Sequence, residues 1–325
     1  MKRIGKFLTI FAVAMTLLPI NARATELLIP VGKIVGLQLS DNTVTVAAFD
    51  DILGAEARTA GLKIGDEIVQ IDTTTIDCTE DVRRALEGCD GDAELIVRRG
   101  NRRCTVTVPT RQSDSGPRLG VYLRQGIAGI GTITFYDPDT HKFGALGHGV
   151  TGLSGMQPLA ATGGILVPSV VSGVKKGVRG TPGELHGSFD VSTALGSVSQ
   201  NETHGIFGTL NASPAHEAVP VADSTQVRTG AATILANVDG AEVTEYSVRI
   251  ERLYPQAENG RNLLITVTDE RLLEKTGGIV QGMSGSPILQ DGRLVGAVTH
   301  VLVNRPEQGY GIFMQTMLSQ CDAYR

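Results

Sequence analysis

Residues 277–289, GGIVQGMSGSPIL, set four glycines and a proline around two serines, and the run RLVGAVTHVLV follows at 293–303. A serine hydroxyl attacks a carbonyl only when a base takes its proton and nearby N–H groups stabilise the oxyanion, which demands an unusual backbone. Glycine supplies that freedom. Gly285 lets a substrate approach the main chain, and the amides of Gly282 and Ser284 can point together at a developing negative charge. The other reading is structural: SPILQ and LVGAVTHVLV are strands joined through the turn DGR, with the glycines serving only to bend the chain. Taken alone, the stretch leaves both readings open.

The rest of the chain narrows them. At 325 residues and 41% hydrophobic content it can fill two domains, and 40 glycines, no tryptophan and abundant Val, Ile and Thr point to a mainly β protein. The formal charge of −5 is spread without long single-sign blocks, which gives no footprint for nucleic acid or anionic lipid. The densest basic stretch, RRGNRR at 98–103, reads as a solvated hairpin tip between ELIV and CTVTV. Lys2, Arg3 and Lys6 precede an apolar run from Phe7 to Ile20, and Ala22 and Ala24 sit at the small-residue positions of a cleavage site. Residues 1–24 are therefore expected to be a signal peptide or a retained anchor, and the chain to be exported. Cys78, Cys89, Cys104 and Cys321 form neither a dense disulfide framework nor a zinc pattern. A bridge among the first three and buried free thiols are equally consistent with their spacing.

From Leu27 to Thr110 the pattern is small and mixed: strands at IVGLQL, TVTVAAF and DEIVQID, helices at LGAEARTAG and TEDVRRALEG, and the closing hairpin AELIVRR and RCTVTVP. The segment AEARTAGLKIGDEIVQID resembles the signature of PDZ domains. That resemblance implies a PDZ-like α+β domain over 27–110 that adds an extended peptide to a sheet edge, with Val35, Gly36 and Leu37 as the carboxylate-binding loop. TRQSDSGPRLG, 110–120, reads as polar linker, so the domain boundary is set at 111–120. Beyond it, regular short strands over 121–325 indicate a barrel or a pair of barrels.

Within that second region Gly282-Met283-Ser284-Gly285-Ser286-Pro287 resembles the nucleophile loop of chymotrypsin-like serine peptidases, with Ser284 as nucleophile and Ser286 as its small neighbour. His148, between two glycines at the end of the apolar strand FGALGH, suits a general base. His300, on the strand after the nucleophile loop, is a cleft-wall residue and the second candidate base. For the carboxylate that orients the imidazole, Asp190, Asp223, Asp239 and Asp269 all lie between His148 and Ser284. Asp269 ends the apolar run NLLITVTD, but spacing alone does not choose among them.

Over the whole region, GIGTITFYDPDTHKFGALGH, GIFGTL, VTDERLLEKTGGIVQGMSGSPILQDGRLVGAVTHV and GYGIF resemble the SpoIVB peptidases, the stage IV sporulation protein B family. The resemblance implies an N-terminal PDZ-like domain before a chymotrypsin-like β-barrel peptidase domain, and a triad of Ser284, His148 and Asp269. It also implies a self-cleaving, exported endopeptidase of sporulation signalling, acting between forespore and mother-cell membranes. Its substrate would be a membrane-bound regulator of an intramembrane protease that activates a late sigma factor, and the PDZ ligand could be its own chain. No cofactor, metal or nucleic acid is implied, and the absence of HExxH argues against a metallopeptidase. Two other readings remain: a PDZ-based binding or scaffold protein with an inactive peptidase-like domain, and a quality-control protease, whose PDZ domains follow the protease instead of preceding it.

Overall fold

A computed structural model describes residues 26–89, 91–113, 116–151 and 158–321. The expected signal or anchor at 1–24 lies outside them. The chain opens with β1 (Leu27–Pro30), β2 (Ile34–Phe49), α1 (Gly54–Thr59), β3 (Glu67–Ile71), β4 (Thr74–Thr75), α2 (Thr79–Glu87), β5 (Asp92–Arg99) and β6 (Arg102–Pro109). A short hairpin, β7 (Arg111–Ser113) and β8 (Gly116–Arg118), occupies the expected linker. Then come β9 (Val121–Tyr136), β10 (Lys142–Ala145), β11 (Gly163–Lys175), β12 (Glu184–Phe189), β13 (Gly196–Glu202), β14 (Gly205–Leu210) and β15 (Val219–Pro220). The last part holds β16 (Gly230–Asp239), β17 (Glu242–Leu253), β18 (Leu263–Val267), α3 (Glu270–Thr276), β19 (Pro287–Gln290), β20 (Arg293–Leu302), β21 (Arg305–Phe313) and α4 (Met314–Leu318).

Two rings of antiparallel strands dominate. The second is a closed barrel in the order β16, β17, β18, β21, β20, β19. Its interior is filled by alternate residues such as Ile234, Val248, Ile265, Ile288 and Val298, as expected where one strand face is buried. The first closes through pairings β2–β9, β9–β10, β10–β14, β14–β13, β13–β11 and β11–β2, around Val35, Leu37, Ile133, Phe143, Leu166 and Ile206. The molecule is mainly β and is built around two antiparallel barrels, the pair of barrels being one of the arrangements expected from sequence.

The first ring begins much earlier than expected. IVGLQL and TVTVAAF are one strand, β2, whose first half belongs to the barrel and whose second half leaves it, pairing with β3 and with the start of β9. The break between the two expected strands, at Ser40–Asn42, is bridged by a bulge. There the buried Asp41 carboxylate accepts hydrogen bonds from Gly126 N–H at 3.0 Å and Thr43 N–H at 3.2 Å. Gly126, at φ +72°, passes so close to Leu39 that a Cβ would lie 1.8 Å from its carbonyl oxygen, so only glycine fits. The small α+β unit, with Val46, Ile68, Val82, Leu86, Leu95 and Val106 in its own core, is thus inserted between β2 and β9 of the first barrel.

This placement corrects the peptide-loop assignment. Val35, Gly36 and Leu37 are hydrogen-bonded strand residues with β9 on one side (Gly131, Ile130, Gly129) and β11 on the other (Pro168, Val167, Leu166). Both edges are taken, and a Cβ on Gly36 would lie 2.4 Å from the Phe189 ring, so no ligand strand can add there. The basic hairpin reads as expected: Arg98 pairs with Glu67, and Arg99 pairs with Asp66 at 2.6 Å. Cys78, Cys89 and Cys104 are free thiols, and burial together with the Asp72 carboxylate pushes the Cys89 thiol up to about 11.

Candidate active site

The nucleophile loop runs between the barrels and is fixed from both. Thr132, in β9, donates its hydroxyl to the carbonyl of Gly282 at 2.7 Å and its N–H to the carbonyl of Ser284 at 3.1 Å. Gly285, at φ +99°, lies against the first barrel so tightly that a Cβ would be 2.1 Å from the Thr132 oxygen and 2.6 Å from Leu146 N. The loop then turns back, with Gly285 N–H donating to Val298 O and Ser286 N–H to Met283 O.

This geometry separates the two serines. Ser286 is 0% exposed and its hydroxyl is buried with no partner among the described residues, whereas Ser284 is only half-buried. Ser284 Oγ donates to the carbonyl of Thr299 at 2.9 Å. Among the described residues the N–H groups of Gly282 and Ser284 have no acceptor, as a pair awaiting an oxyanion requires.

His148 arrives from the first barrel. Leu146 abuts Gly285, Gly147 (φ +68°) packs on Thr299, and the His148 ring lies with its centroid 5.4 Å from that of His300. Ser284 and His148 therefore flank the same dipeptide, Thr299–His300. His148 Nδ1 lies 2.9 Å from the carbonyl oxygen of Gly149, which can only accept, so Nδ1 carries the proton and Nε2 keeps its lone pair. Burial holds the imidazole below its ordinary pKa, with the Gly149 carbonyl acting weakly in the opposite sense. Burial, with His148 and Arg261 nearby, pushes His300 down to about 4, so it stays neutral as a wall residue. Both rings line a cleft of ≈ 550 Å³ with Val150, Pro158, Thr203 and Asn259.

Asp269 is not brought to this site. Strand register sets His300 level with Tyr310 and Leu264, and Asp269 lies five residues further on, past the far end of β18 and two strands away. Its carboxylate instead caps α3, accepting from Arg271 N–H at 3.0 Å and Ser247 N–H at 3.2 Å and pairing with the Arg271 guanidinium at 2.8 Å. Chiefly through Arg271, its pKa falls to about 2. Asp190, Asp223 and Asp239 are likewise engaged locally, with Ser192, Thr225 and Lys275. Replacing Asp269 by Ala is expected to cost about 1 kcal/mol of stability, as loss of an N-cap does. Turnover should fall by roughly tenfold or less, against about 10⁴-fold for a triad aspartate. Thermal melts and kcat on the same preparation check both.

Residues 116–318 match the family model described as SpoIVB peptidase S55. Among solved structures, the chain is similar to the Rv3671c protease in an inactive form, at 12% identity and TM-score 0.34, covering 61% of this chain and 84% of that one. It is also similar to an inactive alanine variant of Rv3671c from M. tuberculosis H37Rv, at 14% identity and TM-score 0.32, covering 61% and 82%. No curated protein sequence matches. With its family model spanning well over half the chain, across both barrels and the nucleophile loop, this protein belongs to the SpoIVB peptidase S55 family.

Proposed function

We propose that the chain is an exported serine endopeptidase in which Ser284 is the nucleophile and His148 the general base. The observation that carries this is a half-buried Ser284 whose N–H, like that of Gly282, has no acceptor among the described residues, and whose hydroxyl bonds to Thr299 O beside His300, the residue on which the His148 ring, with its free Nε2, packs. In the resting arrangement the Ser284 hydroxyl donates to Thr299 O. A substrate N–H that takes over this carbonyl frees the hydroxyl for His148 Nε2, consistent with catalytic hydrogen bonds that tighten only with substrate bound. Ser284 Oγ then attacks the scissile carbonyl, Nε2 accepts the proton, and the Gly282 and Ser284 amides receive the oxyanion. His148 passes the proton to the leaving amine, and water later repeats the sequence to release the acyl group. The Gly149 carbonyl holds the imidazole in the reactive tautomer, a part the family resemblance gives to Asp269.

Membership of the SpoIVB family supports placing this activity in sporulation signalling: self-cleavage after export, then cleavage of a membrane-bound regulator that restrains an intramembrane protease. The inserted α+β unit, read as a PDZ-like module, would guide that encounter.

The test of the chemistry is the pH dependence of kcat/KM. Protonating His148 removes the base, so activity falls as pH drops through its pKa, and burial sets that midpoint below 6.5. An acid limb centred at or above that value would contradict a buried His148 as base.

A further inference from the structure

The hairpin β11–β12 leaves the first barrel as an arm and lies along the second. Near its tip Lys176 Nζ donates to Glu274 O at 2.8 Å and Gly177 N–H to Thr276 O at 2.8 Å, so it covers the C-terminal carbonyls of α3, the helix that Asp269 caps at the other end. On the returning strand, residues 183–185 run beside the nucleophile loop. Gln281 N–H donates to Gly183 O and Leu185 N–H donates to Gln281 O, both at 2.9 Å, in a parallel bridge of Glu184 with Gln281. The Leu185 side chain, 2% exposed, presses on Gly282, with its Cβ 3.1 Å from where a glycine Cβ would be.

The bond to Gln281 O has a directional consequence. In a planar trans peptide the C=O and the following N–H point in opposite directions. Leu185 N–H, by holding the Gln281 carbonyl on the arm side, turns the N–H of Gly282 away from the arm and leaves it without an acceptor among the described residues. Gly282 is at φ +99°, so this peptide could rotate were it not held. We propose that the β11–β12 arm is a latch for the oxyanion hole: the main-chain N–H of Leu185 is a positioning group that aims the Gly282 amide at the reacting carbonyl. The proposal rests on the reading of Ser284 as nucleophile and Gly282 as oxyanion donor. The first barrel thereby takes part in transition-state binding through the second, and displacement of the arm would switch catalysis off without touching Ser284 or His148.

In β12, Leu185 pairs with Val174 of β11, while its neighbours Glu184 and His186 lie opposite Lys175 and Gly173. Its N–H serves Gln281, so removing it leaves the β11 ladder in place. The test replaces Leu185 in the full chain by its α-hydroxy acid, an amide-to-ester change that keeps the side chain and deletes the N–H, with Leu185→Pro as a second route. Leu185→Ala, which retains the N–H, controls for packing, and Ser284→Ala controls for the chemistry. A peptide aldehyde, which forms a tetrahedral adduct, and a cleaved-product peptide, which does not, report oxyanion binding separately from substrate binding.

The ester variant is expected to keep its melting profile and product-peptide affinity while kcat and aldehyde affinity both fall by about 10²- to 10³-fold, as for loss of one oxyanion donor. A folded ester or Pro variant whose kcat and aldehyde affinity match those of Leu185→Ala overturns the latch. If Ser284→Ala instead retains activity, it is the nucleophile assignment that fails, and the two failures are told apart.

Discussion

Ser284→Ala lowers kcat by about 10⁶-fold, the loss that follows removal of the nucleophile in serine peptidases of this chemistry. The fold survives the change. The hydroxyl makes one hydrogen bond, to Thr299 O, in a half-buried position, so the stability cost is about 1 kcal/mol or less. The loop keeps its shape because its anchors are Thr132, Val298 and residues 183–185, none of which involve Oγ. Substrate binding therefore persists while turnover disappears, a pattern that unfolding would not give. Ser286→Ala is the internal control: its hydroxyl is sealed away from the cleft, and no step of the chemistry uses it. On the proposed export and self-processing, the Ser284→Ala protein is expected to keep the N-terminus left by signal removal, and the wild type to be shortened further. N-terminal sequencing of the two forms reads this directly, and identical shortened termini would contradict self-processing.

His148→Ala is expected to cost about as much, about 10⁶-fold in kcat, and the double replacement with Ser284→Ala no more than either alone. Base and nucleophile act as one unit, so once the proton has nowhere to go the hydroxyl contributes nothing further. His300 cannot substitute. Its Nδ1 is buried without a partner among the described residues, and the Ser284 hydroxyl bonds to the main chain of Thr299, not to this ring. A rate for His148→Ala within about tenfold of wild type would move the base elsewhere. Single-turnover kinetics on both variants, with the double mutant as reference, separates this outcome from a change in the rate-limiting step.

Much of the site is legible in sequence because the backbone demands it. Gly282 and Gly285 adopt positive φ, and Gly285 presses on a carbonyl, so the glycine spacing around Ser284 is a record of close approach. The small residues flanking His148 record the same crowding where the two barrels meet. The motif already ranks Ser284 above Ser286; burial of the Ser286 hydroxyl supplies the physical reason, which local sequence does not carry. Asp269 shows how one pattern serves two ends: an acid closing an apolar strand suggests a buried partner for an imidazole, but DERLLEKTG is also a capped helix with its terminal glycine. The helix is what forms, with Gly277 at φ +77°.

Val35-Gly36-Leu37 failed for a related reason. An apolar-Gly-apolar run fits a ligand-binding loop and a strand buried on both sides equally well, and the partners that decide, β9 and β11, lie about a hundred residues away or more. The insertion of the α+β unit into the first barrel was hidden by the polar residues Ser40–Asn42, which look like a break between strands until Asp41 is seen pinning a bulge. Leu185 had no local signal at all, since its significance comes wholly from the segment it touches.

The central claim is that Ser284 is the nucleophile, and one measurement addresses it without assuming a substrate. Labelling the purified protein with a fluorophosphonate and digesting it with trypsin yields a peptide from Thr276 to Arg293 that carries both Ser284 and Ser286. Fragment masses from that peptide are predicted to place a single adduct on Ser284. An adduct on Ser286 or on any other residue, or an unlabelled protein that still cleaves peptide, would contradict the account.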